Sequence, residues 1–479
     1  MIFNSIEFLI FLFTIFFLYW FCSGKNNSIQ NSFIIFASYF FYGCWDVRFL
    51  GLIIISTIVD FGVSIGIYNI KKAQIKRYLL WTSIFVNIGI LGIFKYYNFF
   101  IDNFILMLSA VNIQVDSVSL NVILPVGISF YTFQTLSYSI DVYKGKIHPT
   151  KNFLAFSAFV SFFPQLVAGP IERASNLLPQ FLKKREFDYN KAIDGLRQIL
   201  WGLFKKIVIA DNCAIYANEI FSNYTNYSGS TLFLGGFFFA FQIYGDFSGY
   251  SDIAIGTSRL FGFSLKKNFS FPYFSRDIAE FWRRWHISLS TWFRDYLYIP
   301  LGGSQFNKFK TIRNVFITFI VSGLWHGANW TFIVWGAVNA IYFLPLLIFN
   351  KNRAHIEIVA KGSLFPSLKE MFQIIITFSI TTIAWIFFRS ETIFQAFNYI
   401  DQMLFHSFFS IPNISTQSTT TLFLVIFFVI IEWLGREGSF GISNIHKVPT
   451  VLRWGFYYIL ILLMFIFTTK AQPFIYFQF

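Results

Sequence analysis

Residues 313–349 read RNVFITFIVSGLWHGANWTFIVWGAVNAIYFLPLLIF. After Arg313 this run contains no Lys, Arg, Asp or Glu, and at 37 residues it is too long for one perpendicular crossing of a bilayer, which takes about 20 residues. The run 231–262 is likewise too long for one perpendicular helix, so neither is expected to cross as a single upright span. Gly323 and Gly327 flank His326 at a spacing of one helical turn, so the break or a close helix approach is expected there. An imidazole inside a lipid-type segment is costly, and an ionisable group at such a place is a functional hypothesis by default. Imidazole also has the unperturbed pKa best suited to proton transfer near neutrality. The bland alternative is a histidine hydrogen-bonded between two helices.

The rest of the chain repeats the pattern. Of 479 residues 56% are hydrophobic and 13% charged, against roughly 25% charged in soluble domains. Apolar runs recur near 2–22, 30–44, 50–69, 78–94, 99–112, 118–140, 152–170, 195–215, 231–262, 371–388, 420–435 and 452–469. The fold class is therefore all-α integral membrane, with about 10–12 crossing helices at ~20 residues each and one or two re-entrant pieces. The first run lacks a basic leader and a small-residue cleavage pattern, so it is expected to be a retained helix. Polar stretches such as 351–369 are loop-sized, and residues 1–479 read as a single membrane domain.

A net charge of +14 could suggest nucleic acid, but the basic residues cluster in short loops. Lys71 to Arg77, Lys183 to Arg185 and Lys308 to Arg313 fit the positive-inside pattern and place those loops in the cytoplasm, with Lys25 a weaker marker. Nucleic acid is not an expected partner; membrane lipid is. Cys22, Cys44 and Cys213 are scattered in apolar surroundings and read as small hydrophobes rather than metal ligands or disulfides.

Three further segments carry polar groups. Residues 160–173 put Pro164, Gly169 and Pro170 ahead of Glu172 and Arg173. This is either a re-entrant loop or a helix ending at the interface with a solvated ion pair. Residues 244–252 set Asp246 and Asp252 among apolar residues, where they could ligate a cation, pair with an arginine or line a substrate path, with direct catalysis a lesser reading; no transition-metal set accompanies them. In 276–296, Ile278, Phe281, Trp282, Trp285, Leu289, Trp292, Phe293 and Tyr296 share one helical stripe opposite Arg276, Arg283 and Arg294. An amphipathic helix lying in the membrane interface is expected, with His286 at the edge of the stripe. Arg283 and Arg284 beside it would keep that imidazole neutral.

These segments resemble the membrane-bound O-acyltransferase family, in the branch of alginate O-acetylases and peptidoglycan O-acetyltransferases, which is related to the teichoic-acid D-alanyl transfer proteins. The resemblance runs almost end to end and rests on Leu124 to Tyr131, Val167 to Ile171, Asp246 to Asp252, Phe281 to Trp292, Leu324 to Ala328 and Phe387 to Arg389. It implies that His326 is the catalytic histidine and His286 its companion, in a funnel-shaped ring of helices with re-entrant and interfacial pieces. It implies acetyl transfer from a cytoplasmic thioester such as acetyl-CoA, with no bound cofactor or metal. It further implies delivery to a periplasmic or cell-surface esterase-like partner that modifies a polysaccharide, and a bacterial inner-membrane location. Asp246, Asp252, Trp325, Arg283 and Arg284 are expected around the substrate cavity. A transporter or flippase of an acyl carrier or lipid-linked sugar fits the broken helices equally well, and D-alanylation of teichoic acid or acylation of a lipid or protein is a further alternative.

Overall fold

The computed structural model describes residues 1–22, 26–116, 119–120, 124–166, 169–305, 307–413, 415–469 and 472–475. Lys25, Val167 and Ala168 lie outside these, as does the side chain of Cys22. The described residues form helices joined by short loops and contain no β-strand. Five stretches are helical, long and apolar enough to cross a membrane: Val47–Asn69, Ala73–Ser109, Trp330–Ile348, Leu368–Arg389 and Thr416–Gly435. Ile6–Phe21, Phe153–Leu166 and Thr450–Ile466 are apolar but shorter. The all-helical membrane architecture is as expected. Fewer helices reach full span by length and composition than the apolar runs suggest, because other runs are short or carry charge.

The chain packs as two compact units, Met1–Ala192 with Thr257–Lys266, and Ile193–Gly256 with Lys267–Phe479. In the first, the helices Leu50–Asn69, Ala73–Leu91 and Ile128–Tyr143 meet around Asp60. Its carboxylate accepts from Ser139 Oγ at 2.7 Å, from Asn87 Nδ2 at 2.8 Å and from Ser83 Oγ. Interhelical hydrogen bonds of this kind hold helices together where lipid gives no hydrophobic drive. The loop at 170–173 belongs to this unit. Glu172 is fully buried and accepts from Lys266 N and from Asn176 Nδ2 at 2.7 Å. Of the two readings of this segment, the solvated ion pair is therefore excluded. Cys213 is buried as expected, whereas Cys44 is exposed, on the wall of an open apolar groove beside Phe11 and Phe40.

Contrary to expectation the run at 231–262 is one continuous helix, Gly229–Leu260, about 48 Å long at 1.5 Å per residue, and its residues up to Gly256 belong to the second unit. The helix Tyr189–Phe204 lies close against it through paired glycines. A Cβ on Gly202 would sit 2.6 Å from the Gly249 carbonyl oxygen, and one on Gly256 would sit 2.5 Å from that of Gly195. Small residues at such spacing let backbones approach within van der Waals contact. A π-helical step at Lys205–Ala210 then presents two successive lysines to three carboxylates. Lys205 Nζ binds Asp252 at 2.6 Å, and Lys206 Nζ binds Asp246 at 2.8 Å and Asp211 at 2.7 Å.

Candidate functional site

The run 313–349 folds as a hairpin, Lys308–His326 followed by Trp330–Ile348, with the break expected near the glycines. The first helix ends on His326 itself. Gly327 is extended, and Asn329 caps the second helix by accepting from Thr331 N at 3.0 Å. The glycines do what their spacing suggests. A Cβ on Gly323 would collide with the Phe332 carbonyl, one on Gly327 with the Phe332 ring, and one on Gly336 with the Phe319 carbonyl. Close crossing therefore seats the end of the first helix against the start of the second.

His326 is 3% exposed. Its ring meets Trp325 at 5.0 Å, Trp335 at 5.2 Å and Phe388 at 5.4 Å between centroids, each edge-on. Phe388 comes from the helix Leu368–Arg389, which explains why the motif at 387–389 accompanies the histidine. Arg389 points elsewhere, to Asn218 Oδ1 at 2.9 Å.

The amphipathic helix expected over 276–296 is two short helices, Ile278–Arg284 and Ile287–Phe293, and its aromatic stripe faces protein rather than the membrane interface. Phe281, Trp285 and Leu289 are all buried. The break falls at His286, whose φ is +43°, a left-handed conformation that a non-glycine residue holds only at a cost. This turns the imidazole into the unit's interior. It is 1% exposed, edge-on to Phe247 at 4.5 Å, and 6.0 Å from the Trp325 ring. Trp325 thus contacts both histidines, and the two residues named from the sequence share one aromatic cluster.

Asn268, which nothing in the sequence singled out, holds His286. Its Oδ1 lies 3.1 Å from His286 Nδ1 and accepts from Ser288 Oγ at 2.8 Å. Burial among rings pushes the His286 pKa down to about 3, so the ring is neutral. That outcome was expected, but the cause differs. Arg284 is spent on Glu280 at 2.7 Å, and Arg283 on the carbonyls of Asn352 and His355 at 2.8 and 2.7 Å. Neither guanidinium faces the histidines.

Asp246 and Asp252 are held by lysines, as described above, and Asp246 also accepts from Ile475 N at 2.7 Å. The helix carrying them reaches His286 through Phe247 instead. Lys205 and Lys206, missed in the sequence reading, had a signal: two cations inside an apolar run.

A cavity of about 290 Å³ opens beside the cluster, lined among others by Trp282, Ser290, Arg294, Tyr298, Ser322 and Arg353. Ser322 stands one helical turn before His326, and Trp282 packs on Trp335 at 5.6 Å. The space is apolar in its body, with two guanidinium groups on its wall.

Comparison with known proteins agrees with this arrangement. Residues 146–388 match the membrane-bound O-acyltransferase family. The chain is 37% identical to a probable alginate O-acetylase of Pseudomonas aeruginosa, covering 94% of this chain and 84% of that protein. It is 34% identical to a peptidoglycan O-acetyltransferase of Helicobacter pylori, covering 83% and 78%. A teichoic acid D-alanyltransferase of Bacillus subtilis is 29% identical over 48% of this chain and 61% of its own length. With a helix hairpin whose first helix ends on a buried histidine, a second histidine in the same cluster and relatives aligned over most of its length, this chain belongs to the membrane-bound O-acyltransferase family and is an acyltransferase.

Proposed function

We propose that the protein transfers acetyl groups from a cytoplasmic thioester, acetyl-CoA or a similar donor, across the bacterial inner membrane for O-acetylation of a cell-envelope polysaccharide, peptidoglycan or an alginate-like polymer. The observation that carries the reading is the pair of buried histidines on one tryptophan, beside a cavity that suits a long apolar donor arm. Arg294 and Arg353 on its wall suit phosphate oxygens, for which guanidinium forks are the usual partners.

Acyl transfer from a thioester to an alcohol needs a base for the hydroxyl proton and a hydrogen-bond donor for the oxyanion. The oxygen–carbon bond forms, the carbon–sulfur bond breaks, and the proton ends on the leaving thiolate. His326 and His286 are the two groups for these tasks, and the sequence reading gives the base role to His326. Trp325 and Trp335 exclude water around them, while Asp246, Asp252, Arg283 and Arg284 support the surrounding fold. A periplasmic or surface esterase-like protein is the expected recipient, since polysaccharide lies outside the membrane. The relatives named for alginate and peptidoglycan favour acetyl over D-alanyl as the group moved.

The test is acetyl transfer from radiolabelled acetyl-CoA in membrane vesicles carrying the protein and its host envelope. His326→Ala should abolish transfer without changing the amount of folded protein. Transfer that persists in this variant would remove His326 from the chemistry. Movement of a lipid-linked sugar without any acetyl transfer by the unaltered protein would favour the flippase reading.

A further inference from the structure

The loop 183–188 joins the helix Ala174–Leu182 to the helix Tyr189–Phe204 and is anchored at one residue. Arg185 is 5% exposed in a loop whose other members face outward. Its N–H donates to Gln30 Oε1 at 2.9 Å, and its carbonyl accepts from Gln30 Nε2 at 3.0 Å. Its guanidinium donates to Tyr19 Oη at 3.0 Å and to Asn27 Oδ1 at 2.9 Å, and lies 5.0 Å from the centre of the Phe263 ring. The backbone on either side is thereby tied to the helices Ile6–Cys22 and Asn27–Gly43.

Outside this anchor lies a polar concavity of about 670 Å³. Lys183, Lys184, Arg185 and Lys191 line it against Glu186 and Asp188, so positive charge is in excess by two. The carboxylates hold their lysines loosely. Lys184 Nζ lies 3.2 Å from Glu186 and Lys191 Nζ lies 3.8 Å from Asp188, all on exposed side chains. Exposed pairs of this kind contribute little and are screened by salt. Lys183 has no carboxylate partner among the described residues. Lysines converging on one hollow, each a point charge on a flexible stem, suit the oxygens of a phosphate.

The rim of the hollow is apolar. Phe187 and Tyr189 are 49% and 69% exposed, and Leu182 beside Lys183 is 46% exposed. Phe187 packs edge-on against Trp20 at 5.4 Å and Phe16 at 6.0 Å, towards the end of the first apolar helix. Trp20 Nε1 in turn donates to the Leu260 carbonyl at 3.0 Å. Aromatic rings and basic residues side by side at the end of an apolar helix mark the level of the membrane interface. A soluble anion has no use for such a rim, whereas a lipid whose phosphate enters the hollow lays its glycerol and chains against it.

We propose that this concavity binds the phosphate of an anionic glycerophospholipid, with Lys183, Lys184 and Lys191 as its partners and Phe187 and Tyr189 against the apolar part of the lipid. The positive-inside pattern puts the loop on the cytoplasmic side, where the leaflet carries a negative surface potential. Binding opens the two exposed pairs within the loop, which costs little, while Arg185 keeps the backbone in place. The site takes no part in acyl transfer and stands apart from that reading.

The test titrates the full chain in detergent with short-chain phosphatidylglycerol and follows binding by calorimetry. Lys183→Ala should weaken binding about fivefold, and Lys183→Ala with Lys184→Ala and Lys191→Ala about a hundredfold. The same positions changed to Arg should bind within about twofold of the unaltered protein, which separates lost charge from lost fold. Lys308→Ala with Lys310→Ala, in a different basic cluster, should leave the affinity as it is. Phe187→Ser with Tyr189→Ser should weaken the lipid about tenfold, and glycerol phosphate should bind the unaltered protein at least about tenfold more weakly than the lipid does. Equal losses in the two alanine sets would reduce the effect to general surface charge and overturn the site. So would phosphatidylcholine bound as tightly as phosphatidylglycerol, or an arginine set as weak as the alanine set. Glycerol phosphate that matches the lipid, or a rim variant that binds the lipid normally, would overturn the lipid as occupant in favour of a soluble phosphate.

Discussion

Two polar regions of the second unit, both built on the helix Gly229–Leu260, handle burial in opposite ways. Around Asp246 and Asp252 every charged group has a partner: two lysines, a third carboxylate and a backbone amide converge within 2.6–2.8 Å. Among the described residues, the hydrogen-bonding neighbours of His286 are Asn268 and Ser288, its ring neighbours are aromatic, and Nε2 has no hydrogen bond. In an apolar interior, saturated networks specify geometry, and a buried ring nitrogen left unpaired at a cost marks where chemistry is done. The carboxylates are held in a bonded network, and the histidines, as proposed above, are the groups available for the reaction.

The contrast breaks most visibly at His326. His326→Ala should lower acetyl transfer by about three orders of magnitude or more with an unchanged melting temperature, read by transfer assay and by thermal aggregation in detergent. Lys206→Met should do the reverse. It strands Asp211 and Asp246 without their shared cation, a loss on the order of 3–5 kcal/mol. A steep fall in melting temperature should follow, largely recovered when Asp211 and Asp246 are changed to Asn as well. If Lys206→Met melts normally yet is inactive, the two regions are not divided as described. Gly249→Ala places a Cβ 2.8 Å from the Gly202 carbonyl oxygen and should cost about 1–3 kcal/mol of stability, with activity per folded molecule retained. The smallest effect is expected at the donor cavity, where Arg353→Ala should raise the KM for acetyl-CoA by about tenfold and leave kcat unaltered, the signature of lost ground-state binding.

How much of this was legible varies by residue. The break inside 313–349 was readable because its charge-free length exceeds one upright span and its glycines sit where the crossing needs them, whereas the same length argument fails at 231–262, which is one continuous helix. Pairing was one open reading of Asp246 and Asp252, with an arginine as the named partner; the lysines that bind them stand on a π-helical step that apolar spacing does not reveal. Helical periodicity over 276–296 pointed to one helix. It misses the break because a left-handed histidine leaves no trace in the spacing of apolar residues. Asn268 is the deepest omission. It lies 18 residues before His286 in a segment without regular structure, and an asparagine there reads as an ordinary loop residue until the fold brings its amide to the ring.

The most direct test of the central claim is the acetyl content of the envelope. Peptidoglycan and secreted glycans from a deletion strain, complemented with the unaltered protein or with His326→Ala, can be compared by mass spectrometry. The account predicts that one polymer loses its O-acetyl groups on deletion and regains them with the unaltered protein but not with the histidine variant. Unchanged acetylation of both polymers in the deletion strain would contradict it.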